Sequence, residues 1–274
     1  MNPQAFPARM TPPSRATELV LLVLAAWAAF IAIPLGLGGI GLSWDALNHH
    51  MYLGWIADSP RFDRDFLAAS YQSFQYPYLY WPAFKLYESG MGGAWAGAIL
   101  ASLNVTAVPA LWLLARACVP DGGWYGFAMR WLAVALGFLG SVALSMFDTT
   151  ANDLLAAIPL VWAIALAIEA TLALTDRSRL WLVVLSGACA GISVAFKLSN
   201  GPLAILMPVL WLLPAGSAYR RAGFVFLGCA ATLLGFVLAY GPWGWQLWTH
   251  YGNPVYPFYD DWFARLRDVV GWHA

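Results

Sequence analysis

Seven apolar runs of 17 to 25 residues leave this chain little choice of environment. They are Leu19–Gly41, Gly92–Ala115, Trp131–Phe147, Leu154–Ala173, Leu180–Phe196, Leu198–Tyr219 and Ala222–Gln246, and only the fourth holds a charge, Glu169. A helix of about 20 residues crosses the hydrocarbon core of a bilayer, where every backbone polar group must be bonded internally. The runs lack the period-two alternation of a membrane β-barrel strand. They predict an all-α, polytopic transmembrane bundle of about seven spans. Composition agrees, with 61% hydrophobic and 10% charged residues, against about 25% charged in a soluble domain.

The charges are unevenly placed. Alternating seven spans from a cytoplasmic N-terminus puts eight arginines against four acids on the cytoplasmic side and six bases against ten acids on the other. Basic residues near short loops favour the cytoplasm, so this orientation is the expected one. Residues 1–18, rich in proline, read as a cytoplasmic tail, and residues 19–246 as the bundle. The first run exceeds the roughly 7–15 residues of a signal-peptide core and reads as a retained anchor. Cys118, Cys189 and Cys229 lie in or beside apolar runs, which suits packing better than disulfides or a metal.

Two segments stand out on the outer side. Residues 42–91 form a long first loop dense in aromatics, Trp44, Tyr52, Trp55, Tyr76, Tyr80 and Trp81 among them, and residues 247–274 follow the last span. Asp45–Ile56 is expected as one short helix capped by Ser43, and the loop as one or two amphipathic helices along the membrane surface. Tyr76-Pro77 and Trp81-Pro82 predict extended or turn backbone before each proline. Lys197-Leu198-Ser199-Asn200-Gly201-Pro202 has the composition of a turn between two spans.

Several polar groups on that side could carry chemistry. Asp45, His49 and Tyr52 share a helical stripe, with His50 displaced from it. A carboxylate beside imidazole suits a general base, while Asp45 could equally serve the helix N-terminus, with the histidines facing water. Asp63 and Asp65, beside Arg61 and Arg64, read as a solvated charged loop or as substrate contacts. Asp148 and Asp153 bracket Thr149-Thr150-Ala151-Asn152, where Thr150 with Asp153 has the spacing of a capping box. Lys197 closes an apolar run, where a cation either snorkels to the interface or meets a ligand such as phosphate. His250, Tyr251 and Asn253 open the Gly- and Pro-rich turn after the last span. No nucleotide-binding loop, dinucleotide fingerprint or metalloprotease motif is present, and no basic patch points to nucleic acid.

Three of these segments together resemble the GT-C superfamily of membrane glycosyltransferases, in its bacterial branch related to protein O-mannosyltransferases and lipid A aminoarabinose transferases. They are Trp44-Asp45-Ala46-Leu47-Asn48-His49-His50 opening the first loop, Phe196-Lys197-Leu198-Ser199-Asn200-Gly201-Pro202, and Tyr251-Gly252-Asn253-Pro254-Val255-Tyr256-Pro257-Phe258. The likeness covers roughly residues 19–260. It departs at His49, where the family usually has tyrosine, and it lacks an acidic pair directly after the first span. Members usually continue through further spans, so the resemblance implies an N-terminal portion or a reduced, inactive relative.

The resemblance implies a bacterial inner-membrane enzyme with its site facing the periplasm. It would move a hexose or pentose from a polyprenyl-phosphate donor to an acceptor glycan, lipid or protein, with inversion. Asp45 would be the base, with His49 and His50 beside it, and Lys197 would meet the donor phosphate. Asp148, Asp153, Asp63, Asp65, His250, Tyr251 and Asn253 are candidate substrate contacts. No organic cofactor is implied, and a divalent cation is allowed. A transporter or lipid flippase using the same charges, and an inactive assembly partner, are the competing readings. A transporter should show internal pseudo-symmetry between helix groups, and the sequence shows no repeat.

Overall fold

The computed structural model describes residues 11–65 and 69–272, whose regular structure is all helical, with no β-strand among them. The tail expected over residues 1–18 falls partly outside these residues, over 1–10. The first helix, α1 (Arg15–Leu37), takes in the last four residues of the expected tail, with the Ser14 hydroxyl accepting from the Thr17 amide. A short helix in two parts follows, a π-helical turn over Ala46–His50 running into α2 (Met51–Ile56). A 3₁₀ turn at Ser70–Phe74 leads to α3 (Trp81–Glu88). Next come α4 (Gly93–Leu103), α5 (Val108–Cys118), α6 (Trp124–Phe138) and the one-turn α7 (Ser141–Leu144). The last five are α8 (Asp153–Leu172), α9 (Asp176–Phe196), α10 (Gly201–Trp211), α11 (Ala218–Tyr251) and α12 (Asp260–Val270).

Among the described residues, five helical stretches are long and apolar enough to cross a membrane: α1, α4 with α5, α8, α9 and α11. Two of the seven expected runs take another form. The run at 131–147 is no single helix, because α6 starts seven residues earlier and ends at Phe138, before Gly140. The run at 198–219 ends its helix at Trp211, ahead of Pro214 and Gly216. Pro82 also behaves differently from expectation. It sits in the first turn of α3, where a missing N–H costs nothing.

Small residues bring α9 and α11 together. A Cβ on Gly191 of α9 would lie 2.0 Å from the Thr232 carbonyl oxygen of α11, and one on Gly187 2.3 Å from that of Gly228. Such close backbone approach is the usual basis of helix association in lipid. Hydroxyls join α9 to α8, Ser186 donating to the Ala163 carbonyl (2.7 Å) and Ser193 to that of Ala156 (2.9 Å). Outward faces are apolar, with Leu24, Leu136, Ile205, Phe226 and Leu238 all exposed. In water such a perimeter would associate; it suits lipid.

Ion pairs between helices close one end of the bundle. Arg130 of α6 makes two 2.6 Å bonds to the Glu18 carboxylate of α1, which also accepts from the Trp112 indole at 2.9 Å. Arg116 meets Glu169 there, and Arg220 meets Asp176. The opposite end gathers the C-termini of α1, α9 and α11, the N-terminus of α8 and the long loop.

Candidate functional site

The site is assembled at that second end, where three separate segments meet. Ser43 caps the loop helix as expected, accepting from the Ala46 amide at 3.0 Å. The next five residues then widen into a π-turn, which sequence periodicity does not anticipate. Single π-turns concentrate at functional sites because they re-aim side chains. Here both histidines turn inward, His49 at 2% exposure and His50 at 6%.

The expected stripe is thereby split. The His49 Nδ1 lies 3.9 Å from the Asp45 carboxylate, without a hydrogen-bond partner, while Asp45 itself is half exposed. Tyr52 leaves the pair and donates to Asp65 at 3.3 Å, where Arg61 also binds. Burial, reinforced by Asp65, drives the Tyr52 phenol well above its usual range. Asp63 stays exposed beside Arg64 at 3.4 Å, so the two loop carboxylates occupy different settings.

His50, expected to be the displaced one, is the better anchored. Its Nδ1 lies 2.8 Å from the Thr150 hydroxyl, and its ring stacks on Tyr80 with centroids 4.6 Å apart. Burial foremost, then the neighbouring His49, lowers its pKa to about 4, so the ring is neutral near pH 7. The same desolvation lowers His49, against the pull of Asp45. Thr150 therefore serves His50. The capping box expected of Thr150 and Asp153 does not form, and Asn152 precedes α8 without capping it through its side chain.

The second segment closes on the first. The Gly41 amide donates to the Asp148 carbonyl at 2.5 Å, tying the loop before α8 to the end of α1. The third segment brings Lys197, whose backbone is extended between α9 and a 3₁₀ turn, as the expected turn requires. Its ammonium is bonded to Asp153. The charges of Asp45, Asp153 and Lys197 all act on His50, which places the three segments in one electrostatic neighbourhood.

Beside Lys197 opens a cavity of about 180 Å³. Asn152 and Lys197 supply polar lining, while Tyr71, Phe74, Tyr76, Tyr240, Tyr256 and Phe258 form aromatic walls. Asp45, His49 and His50 are not in its wall. Tyr80 links the two parts, stacking on His50 and donating to Gln75, a cavity residue, at 3.2 Å. Burial, then the charges of Asp153 and Asp45, push its phenol far above the usual range. Sequence reasoning missed Thr150, Asn152 and Gln75 as members, and marked Tyr80 only as one of the loop's aromatics. Only Thr150 carried a local signal, and that signal pointed to a cap.

The turn after α11 contributes walls more than contacts. Asn253 is fully buried, its amide donating to the Phe258 carbonyl (3.0 Å) and to Asp260 (3.1 Å) while its oxygen accepts from the Val255 amide (2.9 Å). Its polar atoms hold the turn that places Tyr256 and Phe258. Tyr251 stacks flat on Tyr256 at 4.1 Å, and His250 points its Nδ1 to the Gln246 carbonyl at 2.8 Å. Neither lines the cavity. Among the described residues no group of three or more His, Cys, Asp or Glu is disposed to hold a metal ion. Compared with family models, curated proteins and solved structures, the chain matches none.

Proposed function

We propose that this chain is a membrane glycosyltransferase acting on a polyprenyl-phosphate sugar at the periplasmic face of a bacterial inner membrane. Seven crossings would be completed by the two shorter helices, α6 and α10, with the loop helices α2 and α3 lying along the outer surface. One observation carries the reading. At one end of the bundle the loop helix that carries Asp45 meets Thr150 through His50, Lys197 pairs with Asp153, and Lys197 opens onto an aromatic-walled cavity.

The chemistry follows from what each group can do. A lipid-linked donor arrives through the bilayer, so no nucleotide-binding fold is required. Lys197, freed from Asp153, would meet the donor phosphate as a point charge. Asp45 is exposed enough to accept a proton from an acceptor hydroxyl, whose oxygen attacks the anomeric carbon from the opposite face. The carbon–oxygen bond to phosphate breaks, its electron pair leaves with polyprenyl phosphate, and the anomeric centre inverts. Lys197 steadies the growing negative charge. Aromatic walls suit a sugar face or the first isoprene units.

Purified protein supplied with polyprenyl-phosphate sugar tests this through release of polyprenyl phosphate. Lys197→Met should weaken donor binding and slow release together, and Lys197→Arg should keep part of both, since charge remains while reach and geometry change. A Lys197→Met variant that binds and cleaves donor normally would sink the assignment.

A further inference from the structure

α12 presents three faces, and only two of them have an evident partner. On one face, Phe263, Ala264 and Arg267 turn toward the body of the protein and are partly buried. Asp261, Arg265 and Asp268 form a second, charged face that is exposed to water. On the third face, Trp262, Leu266, Val269 and Val270 are apolar and exposed, Trp262 at 78% and Val269 at 84%.

The position of the helix says what covers that third face. It is pinned at both ends to the turn that closes α11, a helix long and apolar enough to cross a membrane. At its start Asp260 accepts from Asn253 at 3.1 Å. Near its end Arg267 donates to the Tyr251 carbonyl at 3.3 Å and pairs with Asp260 at 2.9 Å. Gly252 makes the approach possible. Its φ is +61°, and a Cβ there would lie 2.3 Å from the Arg267 side chain and 2.8 Å from the Trp272 ring. The helix therefore cannot project away; it is held against the end of a helix long and apolar enough to cross a membrane.

We propose that α12 is an interfacial membrane helix, its Trp262–Leu266–Val269 face seated among lipid headgroups and the first acyl carbons. An amphipathic helix with a separate charged face lies in the interface plane in this way, with tryptophan favoured at that depth. The lipid contact would fix the height of the turn carrying Tyr256 and Phe258, two walls of the cavity beside Lys197. It does not depend on the reaction that the cavity serves.

Site-directed spin labelling of the full chain tests it, in nanodiscs of phosphatidylcholine and phosphatidylglycerol, with Cys118, Cys189 and Cys229 replaced by alanine. Single labels are introduced by Trp262→Cys, Leu266→Cys and Val269→Cys, and for comparison by Asp261→Cys, Arg265→Cys and Asp268→Cys. Collision with oxygen, which concentrates in lipid, should dominate at the first three positions, and collision with a water-soluble nickel chelate at the other three. Equal access of the chelate to all six would put the helix in water. Shielding of the first three from both reagents would show a protein cover, a second copy or another segment. Either result overturns the proposal, and three independent positions guard against one variant failing to fold.

Discussion

Glu18 and Arg130 lie 112 positions apart in sequence and meet with neither more than 2% exposed. Two charges can be buried there because every strong donor is matched. The carboxylate takes both guanidinium bonds and the Trp112 indole, and the remaining guanidinium nitrogen donates to the Val119 and Asp121 carbonyls. Removing one partner leaves the other buried and alone, a loss of about 3–5 kcal/mol. Arg130→Ala should accordingly collapse thermal stability in detergent, whereas Glu18→Gln with Arg130→Met together should recover much of it; additive losses would deny the pairing. His50 sets a pH limit of its own. Its folded pKa of about 4 lies below the ordinary imidazole value of 6.5. The folded state thus resists a proton that the unfolded state accepts. Its contribution is complete above about pH 6.5 and is lost as pH falls toward 4, up to about 3 kcal/mol in all. The fall in melting temperature between pH 7 and 4.5 should be shallower in His50→Gln, and an unchanged slope would mean that the ring is freely protonated.

At the scale of elements, α9 and α11 are held by what is missing from their contact. Gly191→Leu should abolish recovery of folded protein, and Gly191→Ala should cost about 1–3 kcal/mol through overpacking. Gly223→Ala on α11, with nothing within 4 Å, should cost nothing in the same thermal assay and stabilise by up to about 1 kcal/mol through helix propensity. Equal effects at the two positions would remove the packing argument. The long apolar runs made α1, α8, α9 and α11 legible, because a bilayer-length stretch without charge has few other folds. The rest was hidden for identifiable reasons. Arg130 excluded the first turns of α6 from its run, since a lone sequence gives no sign of a partner 112 residues away. The π-turn over Ala46–His50 has no compositional mark, so α-helical spacing puts Asp45, His49 and Tyr52 on one stripe that the structure splits. Thr150 looked like half of a capping box until the fold brought His50 within 2.8 Å.

For the whole molecule, two ends of different character matter most. One is closed by Glu18–Arg130, Arg116–Glu169 and Arg220–Asp176, while the other brings together Asp45, His50, Asp153 and Lys197 beside the aromatic cavity. The proposed transferase places its chemistry at the second end, with Asp45 as the group that takes the proton. Turnover of polyprenyl-phosphate sugar by purified Asp45→Asn protein, in the presence of cell-envelope acceptors, tests that claim most directly. The amide keeps the shape and cannot accept the proton, so release of polyprenyl phosphate should fall about 10²–10⁴-fold with donor binding retained. Near-normal release by Asp45→Asn, or wild-type protein that moves the donor between leaflets with its sugar still attached, would contradict the account.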